Sequence, residues 1–440
     1  MTGRYKTYPD YKESGIDWLY DIPAHWKTIP VGRCYHRVKR TGFESEELLS
    51  VYRDHGVIPK SSRDDNNNKA SDDLSPYQLV CENNLVMNKM KAWQGSIAIS
   101  EYRGIVSPAY FVYEPFKHTE SIVYPKYVHY LLRHPIYITQ YMSRSKGIRV
   151  NQWDLDPESF QSIELLLPLK EEQQKIINFL DYETAKIDTL IAKQEKLIEL
   201  LKEKRQAVIS HAVTKGLNPD APMKDSGVEW LGNVPEHWDM KRLKYIGEAK
   251  NGLTYSPDDV VPEGEGVLVL RSSNIQDAKL SFTDNVYVNM DIPLRIRTQK
   301  DDLLICSRNG SRQLIGKNAL ITEEAVDMAF GAFMVVFRSK LNPYLYWVLN
   351  SPLFEYQSGS FLTSTINQLT IGNLESMEIP LPPSDEQELI RQYLIEKMDY
   401  FDQLISKSAC KVDLLKERKT ALISAAVTGK VDVRDWQESA

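Results

Sequence analysis

Two stretches of the sequence carry residue types that hold phosphate groups or methyl donors in other proteins. Residues 310–318 (GSRQLIGKN) are similar to the phosphate-binding loop G-x4-G-K-[ST], in which backbone amides and a lysine surround the phosphates. Five residues, not four, separate Gly310 from Gly316, and Asn318 stands where a hydroxyl group would bind magnesium. A strand–turn–strand with a glycine at positive φ is therefore the better interpretation.

The second stretch, Asn342-Pro-Tyr344, contains part of the Asn-Pro-Pro-Tyr motif of amino-methyltransferases. One proline is missing, and no glycine-rich loop for S-adenosylmethionine follows a strand, so a proline in a first helical turn explains it better. The eight histidines lack metal-binding spacing, and the four cysteines stand far apart without a CxxC pair. The sequence thus predicts no catalytic centre, no metal site and no disulfide framework, which fits a reducing, cytoplasmic environment.

Polar side chains follow two predicted strands in the second half of the chain. Residues 271–274 (RSSN) come after the apolar run 266–270, and residues 307–312 (SRNGSR) come after another apolar run. Arginine can bond guanine with two hydrogen bonds, and asparagine or glutamine can bond adenine in the same way. A solvated turn would have a similar composition, and both interpretations stay open. The DNA-binding candidates in this half are Arg271, Ser273, Asn274, Gln276, Arg308, Asn309, Arg312, Asn367 and Gln368.

An internal repeat organises the chain. Residues 12–26 (KESGIDWLYDIPAHW) return as residues 224–238 (KDSGVEWLGNVPEHW), with eight of fifteen positions identical. Residues 171–214 return as residues 385–428 without a gap, with 18 of 44 positions identical. Such distances exclude a solenoid of short repeats. We infer two copies of one unit, each a mixed globular block followed by a helical block.

The repeat also indicates candidates in the first half. Residues 89–94 (KMKAWQ) occupy the position of residues 307–312, and a basic stretch, residues 143–149, leads into Asn151-Gln152, which we align with Asn367-Gln368. Residues 64–69 (DDNNNK) could also contact DNA bases, but a mobile loop is the better interpretation. The candidates for contact with DNA bases or backbone are Lys89, Lys91, Gln94, Arg144, Lys146, Arg149, Asn151 and Gln152.

The two helical blocks have apolar residues at spacings of three, four and seven and contain no proline or glycine. Each would form a rod of roughly 66 Å at 1.5 Å per residue, with a long apolar seam that a small domain cannot cover. Two equal rods in one chain are expected to pack together as a coiled coil. The packing residues predicted are Ile176, Leu180, Ile187, Leu190, Leu197, Leu201, Ile390, Leu394, Phe401, Leu404 and Leu415.

The paired Ser-Gly-x-x-Trp-Leu…Pro-x-His-Trp openings, the paired helical blocks and the endings Ala-Val-Thr-Lys-Gly and Ala-Val-Thr-Gly-Lys resemble those of type I restriction–modification specificity (S) subunits. The resemblance extends from about Lys12 to Asp432. It implies an α+β fold in which two pseudo-symmetric α/β target-recognition domains are joined by two long antiparallel helices in a coiled coil. The implied segments are recognition domains at 1–168 and 217–383, spacer helices at 169–216 and 384–430, and a tail at 431–440.

The resemblance implies that each recognition domain binds one half of a bipartite, gapped site in double-stranded DNA, with the helices fixing the gap. The implied partners are two methyltransferase (M) subunits, which use S-adenosylmethionine, and two restriction (R) subunits, which use ATP and magnesium. The S subunit itself would bind no cofactor and catalyse nothing. The alternatives are a coiled-coil scaffold without DNA contact and a stand-alone DNA nuclease or methyltransferase.

Four tryptophans of the paired openings, Trp18, Trp26, Trp230 and Trp238, have two interpretations. They can tie the start of each block to its core, which we favour, or they can anchor a methyltransferase.

Composition sets wider limits. The chain is 42% hydrophobic and 26% charged, which predicts ordered domains with sizeable cores. No apolar run is long enough to span a membrane, and the first ten residues show no secretory signal. The net charge of −6 lowers the expectation of nucleic-acid binding without excluding it, because only a local surface needs to be basic.

Overall fold

The computed structural model describes residues 5–53, 55–63, 71–147, 153–228, 231–361 and 367–438. The chain divides into two compact units: Met1–Gln194 with Lys411–Ala440 form the first, and Glu195–Cys410 form the second. Across the described residues, no helix is long and apolar enough to cross a membrane.

Short strands and helices precede the first long helix. In chain order they are β1 (Tyr11–Lys12), β2 (Ile22–Pro23), β3 (Lys27–Pro30), α1 (Val31–Cys34), β4 (Tyr35–Val38), β5 (Leu49–Tyr52), β6 (Gly56–Pro59), β7 (Gln78–Val80), β8 (Leu85–Asn88), β9 (Ile97–Ile99), β10 (Gly104–Val106), β11 (Tyr110–Pro115), α2 (Thr119–Ile122), α3 (Pro125–Leu132), α4 (Pro135–Arg144), β12 (Ser145–Lys146), β13 (Asp154–Leu155), α5 (Pro157–Gln161), β14 (Glu164–Leu167) and the long helix α6 (Lys170–Lys215).

The second half repeats this outline. Its elements are β15 (Met223–Asp225), β16 (Asn233–Pro235), β17 (Asp239–Arg242), β18 (Glu248–Asn251), β19 (Val260–Val261), β20 (Val267–Leu270), β21 (Ile275–Gln276), β22 (Lys279–Leu280), β23 (Tyr287–Val288), β24 (Leu303–Cys306), β25 (Asn318–Leu320), β26 (Ala329–Phe330), β27 (Met334–Arg338), α7 (Asn342–Leu349), α8 (Pro352–Phe361), α9 (Ile371–Ser376), β28 (Glu378–Leu381) and the long helix α10 (Ser384–Val427).

Each unit contains a four-stranded antiparallel sheet with equivalent strand order, β4-β11-β8-β9 in the first and β18-β27-β24-β25 in the second. Successive side chains of a strand point to opposite faces, and both faces of these sheets are covered. In β24, Leu303 and Ile305 join one core, which includes α7 and the ends of both long helices. Leu304 and Cys306 join another core, which includes β20 and β26. The sheet is therefore the middle of three layers in the second unit.

The short helices α3 and α7 are each followed by a proline that begins the next helix. Pro135 and Pro352 occupy the first positions of α4 and α8. Proline suits that position because it has no N–H that would need an intrahelical acceptor.

The paired His-Trp dipeptides bond to the start of the long helices. In the first unit, Glu172 accepts hydrogen bonds from Trp26 Nε1 at 3.0 Å and Tyr8 Oη at 2.6 Å, and its other oxygen lies 2.7 Å from His25 Nε2. In the second unit, Glu386 accepts from Trp238 Nε1 at 2.9 Å and lies 2.7 Å from His237 Nε2. We call each arrangement a helix-start clamp. A carboxylate in the first turn also suits the positive end of the helix dipole.

The clamps decide between the two interpretations of the tryptophans where the structure describes them. Trp26 and Trp238 are fully buried, and Trp18 is half-buried with its ring centroid 5.2 Å from that of Tyr137. These three therefore belong to the cores, while Trp230 lies outside the described residues.

The two long helices are antiparallel and form a coiled coil. In the first unit Asp188 on α6 pairs with Lys419 on α10 at 2.7 Å, and in the second unit Arg205 on α6 pairs with Asp402 on α10 at 3.5 Å. Later residues of α6 therefore contact earlier residues of α10, as in an antiparallel pair. The less exposed positions alternate in steps of four and three, which is the heptad spacing of a coiled coil. They are 187, 191, 194, 198, 201, 205 and 208 on α6, and 401, 405, 408, 412, 415, 419 and 422 on α10.

Most of the predicted packing residues are covered, and two are not. Leu190 and Leu197 are each 41% exposed, so the prediction that they pack in the seam is wrong. The neighbouring Ile191 and Ile198 are half-buried and occupy the seam instead. Leu201 and Leu404 are half-buried, and the other predicted packing residues are buried: Ile176, Leu180, Ile187, Ile390, Leu394, Phe401 and Leu415.

Candidate nucleic-acid interface

A cleft of about 1270 Å³ opens in the second unit where several strands end. Its walls come from the residues after β18, β20 and β24, the turn between β26 and β27, and the residues before α9. Six predicted DNA-binding residues line it, namely Arg271, Ser273, Arg308, Asn309, Asn367 and Gln368. We call this the second-unit cleft.

Close backbone packing holds two of these walls together. A Cβ atom on Gly252 would lie 2.2 Å from the carbonyl oxygen of Gly331, so no larger residue fits there. Leu253 N donates to Phe330 O at 2.7 Å beside this contact. The residues that follow, Thr254 and Tyr255, line the cleft as a result.

Arg271 is held in place from one side. Its Nη2 lies 3.0 Å from the Asp284 carboxylate, and its Nε is buried without a hydrogen-bond partner among the described residues. The hydroxyl of Ser273 is likewise buried and unpartnered in the described part of the chain. A buried donor without a partner costs free energy, and a bound ligand with acceptor groups would remove that cost.

Side-chain hydrogen bonds connect the three polar walls. Asn309 Nδ2 donates to Ser272 Oγ at 3.1 Å, and Asn367 Nδ2 donates to Gly310 O at 3.2 Å. Arg308 pairs with Gln368 through a backbone bridge. The polar surface of the cleft is therefore fixed in position before any ligand binds.

Arg308 projects as an exposed cation. No ion pair joins its guanidinium to another residue that the structure describes, and the group lies 5.3 Å from the ring centroid of Phe333. Behind it, burial raises the pKa of the Cys306 thiol, which stays protonated and donates to Arg308 O at 3.7 Å. The cleft thus presents a positive group on an apolar wall.

A basic surface with aromatic side chains occupies the corresponding place in the first unit. Lys91 and Gln94 are exposed around the turn at 92–94, and Lys146 is exposed on β12. The ring centroids of Trp93 and Trp153 lie 5.0 Å apart and join the two segments. Lys89 and Arg144 are half-buried, and Arg144 donates to the side-chain oxygen of Gln140.

Comparisons with known proteins agree with this architecture. A family model described as type I restriction modification DNA specificity domain matches residues 235–409. The chain is 24% identical over 441 residues to the type I restriction enzyme MjaVIII specificity subunit of Methanocaldococcus jannaschii, covering 97% of this chain and 98% of the relative. It is 22% identical to the EcoKI specificity subunit of Escherichia coli K12, covering 94% and 91%.

The chain is thus similar to type I restriction–modification specificity subunits over nearly its whole length.

Solved structures show the same fold. One, described as the structural basis of complex assembly and conformational transition of a type I restriction–modification system, has a TM-score of 0.71 at 15% identity, covering 94% of this chain and 100% of that chain. The crystal structure of the HsdS subunit from Thermoanaerobacter tengcongensis has a TM-score of 0.51 at 15% identity, covering 94% and 99%.

Three residues predicted to bind DNA in the second unit do not line the cleft. Asn274 is fully buried: its Oδ1 accepts from Arg271 N at 2.9 Å, and its Nδ2 donates to Ser281 O at 3.0 Å. Its amide holds the loop together, which does not fit a base-contacting role. Gln276 and Arg312 are exposed but lie outside the cleft lining, and Arg312 Nη2 donates to Gly359 O at 3.1 Å.

The turn that is similar to a phosphate-binding loop has a structural explanation. Gly316 has φ +87°, and Asn318 is buried, donating through Nδ2 to Gly316 O and Leu349 O. The asparagine therefore stabilises the turn before β25, as a strand–turn–strand requires.

Hydrogen bonding corrects the alignment between the two halves. Leu155 N donates to Lys89 O at 3.2 Å, and Leu369 N donates to Ser307 O at 2.7 Å in the same way. These bonds equate Asp154 with Gln368, two positions from the predicted counterpart. Three predicted residues of the first domain, Arg149, Asn151 and Gln152, lie outside the described residues.

Sequence reasoning missed Phe333, Tyr255 and Asp284, which also line the cleft. The aromatic residues have no polar signature and are expected in cores. Asp284 carries the wrong charge for contact with phosphate, so only its ion pair with Arg271 reveals its place.

Proposed function

We propose that this specificity subunit recognises a bipartite, gapped site in double-stranded DNA, with one recognition domain on each half-site. The domains are residues 1–168 and 217–383, the spacer helices lie in 169–216 and 384–430, and residues 431–440 form a tail.

The convergence of six separately predicted polar residues on the second-unit cleft carries the proposal. Arg271 and Arg308 are the residues for bidentate contact with guanine. The side-chain amides of Asn309, Asn367 and Gln368 can donate to N7 and accept from N6 of adenine, and Ser273 can bond either type of base. Asp284 orients Arg271 through the ion pair at 3.0 Å, which reduces the side-chain entropy lost on binding.

The first domain has a comparable set of groups. Lys89, Lys91 and Lys146 supply charges for the phosphate backbone, and Gln94 supplies an amide for a base edge. We assign the other half-site to this surface.

The helices set the gap between half-sites. The resemblance to specificity subunits supports the assembly of this chain with partner subunits. We propose that two methyltransferase subunits and two restriction subunits assemble on this chain. S-adenosylmethionine would bind the methyltransferase subunits, ATP and magnesium would bind the restriction subunits, and this chain would bind no cofactor.

The first experiment determines the methylated motif in cells that carry the complete system, with and without this gene, by modified-base sequencing. We expect N6-methyladenine at one gapped motif to disappear when the gene is deleted. Binding of DNA with that motif is then measured for the full chain in complex with its methyltransferase subunit.

Arg308→Ala should weaken binding of the cognate site about 10- to 100-fold, the discrimination expected of one bidentate base contact. Arg308→Lys keeps the charge but loses the fork geometry and should lose most of that discrimination. Arg295→Ala is the control, because Arg295 is an exposed arginine of the same unit that does not line the cleft. Equal losses for Arg308→Ala and Arg295→Ala would contradict specific recognition by the cleft.

A second experiment tests the gap. Inserting seven residues after position 198 and seven after position 408 preserves the heptad spacing and lengthens each helix by about 10 Å, roughly three base pairs. The methylated motif should gain about three unspecified base pairs while both half-sites keep their bases. Altered half-site bases with an unchanged gap would contradict the role of the helices.

A further inference from the structure

The exposed aromatic ring of Phe333 is the feature of the second-unit cleft that the polar assignments leave unexplained. The ring is 57% exposed, although Phe333 lies between the buried residues Phe330 and Met334 of the same segment. The ring continues an apolar part of the cleft lining that includes Leu253 and Val286. A contiguous exposed apolar surface in a binding groove marks a contact with apolar ligand atoms.

The backbone holds Phe333 rigidly. Its carbonyl oxygen accepts from Ser307 N at 2.9 Å, Arg308 N at 3.2 Å and Ser307 Oγ at 3.0 Å. Met334 N donates to Gly331 O at 2.8 Å, which closes a tight turn with Phe333 at its third position. The backbone that carries the exposed ring is therefore held in position by hydrogen bonds on both sides of Phe333.

The ring and Arg308 form one surface. The guanidinium lies 5.3 Å from the ring centroid, so a base contacted by Arg308 brings its neighbour close to the ring. The apolar group on the major-groove edge of DNA is the C5-methyl of thymine, and phenylalanine is one of the side chains that contact it.

We propose that Phe333 is a specificity-determining residue that contacts the C5-methyl group of a thymine adjacent to the base bonded by Arg308. This inference rests on the proposed function. It adds the thymine methyl group, which makes no hydrogen bond, to the groups that the cleft recognises. The first domain has no equivalent, because Ala109 occupies the matching position: Lys89 N donates to Ala109 O as Ser307 N donates to Phe333 O.

The test replaces each thymine of the second-domain half-site, one at a time, with deoxyuridine, which lacks only the methyl group. Binding is measured for the full chain in complex with its methyltransferase subunit. We expect one replacement to weaken binding by the wild-type chain about fourfold, which corresponds to roughly 0.8 kcal/mol for one buried methyl-sized group. Phe333→Ala should bind thymine DNA more weakly and should no longer distinguish thymine from uracil at that position.

Two control variants accompany this test. Phe333→Leu keeps an apolar side chain and should retain part of the thymine preference. Tyr245→Ala removes another aromatic ring of the same unit, 70% exposed and 4.9 Å from the Lys244 ammonium, which does not line the cleft, and it should leave the preference unchanged.

The possible failures are distinguishable. If Arg308→Ala has no effect on specific binding, the proposed function of the cleft is wrong. If Arg308→Ala weakens binding but Phe333→Ala keeps the full thymine preference, only the assignment of Phe333 is wrong. A half-site without thymine on either strand, or a wild-type chain indifferent to every replacement, overturns the assignment equally. An intercalating ring would give that last result, because stacking does not require the methyl group.

Discussion

The two helix-start clamps are equivalent in sequence but differ in burial, and this predicts unequal costs when their carboxylates are removed. The Glu172 side chain is 5% exposed and the Glu386 side chain is 24% exposed. Glu172→Ala leaves two buried donors without an acceptor, Trp26 Nε1 and Tyr8 Oη, whereas the half-exposed His25 can bond to water. At about 1–3 kcal/mol for each abandoned donor, we expect a loss of about 4 kcal/mol.

Glu386→Ala abandons one buried donor, Trp238 Nε1, because His237 is 49% exposed and water can replace its partner. The expected loss is about 2 kcal/mol. Glu172→Gln provides an isosteric comparison. Its single carbonyl oxygen can accept two bonds, so it should cost about 1–2 kcal/mol, less than the alanine variant.

Hydrogen exchange measured by mass spectrometry on the full chain is the suitable assay, because it reports local opening at each helix start separately. Glu172→Ala should speed exchange at the start of α6 and leave the start of α10 protected, and Glu386→Ala should do the reverse. Urea unfolding then ranks the total losses. If the two alanine variants lose the same stability within about 0.5 kcal/mol, the argument from burial is refuted.

Three further predictions concern the fold. Burial lowers the pKa of His134 from 6.5 to about 4, so the unfolded chain binds a proton more readily than the folded chain. The free energy of unfolding should therefore fall by up to about 3 kcal/mol as pH drops from 6.5 to 4. The urea midpoint should fall less over this pH range in His134→Asn. Ile191→Lys should lower the melting temperature by several degrees, and Leu190→Lys should change it little, since only Ile191 lies in the seam. Gly429→Ala places a Cβ 2.4 Å from Pro23 Cδ and should destabilise more than Gly227→Ala, where φ is also positive but no atom lies within 4 Å; melting temperatures compare them.

Sequence could predict the duplicated scaffold because its signals are local and repeated. The His-Trp dipeptides and the glutamates that they bond recur at nearly constant spacing. The stretches without proline or glycine indicate how long the two helices are. Which residues of each long helix face the partner helix is harder to predict from sequence. Leu190 and Ile191 are adjacent and both satisfy spacings of three and four, so only the position of the partner helix decides which one packs. The structure selects Ile191.

The cleft shows where such reasoning fails. Polar residues after strands were good candidates because strand ends meet at one edge of a fold. That rule cannot tell which way an amide points, and Asn274 points inward to satisfy the loop backbone. Nor can composition distinguish an exposed phenylalanine from a core one. Phe333 can be identified as part of the cleft surface only when the hydrogen bonds of its carbonyl group and the exposure of its ring are known.

The same backbone frame carries different side chains in the two units, and under the proposed function this separates specificity from stability. The bond from Leu155 N to Lys89 O and the bond from Leu369 N to Ser307 O fix equivalent loops. Within those frames, lysines and glutamine in one domain replace arginines and asparagine in the other. The exposed side chains of Arg308 and Lys91 take no part in these backbone bonds, so they can change without disturbing the sheets or the clamps. Under the proposed function, substitutions in the cleft should therefore change the half-site and leave the coiled coil untouched.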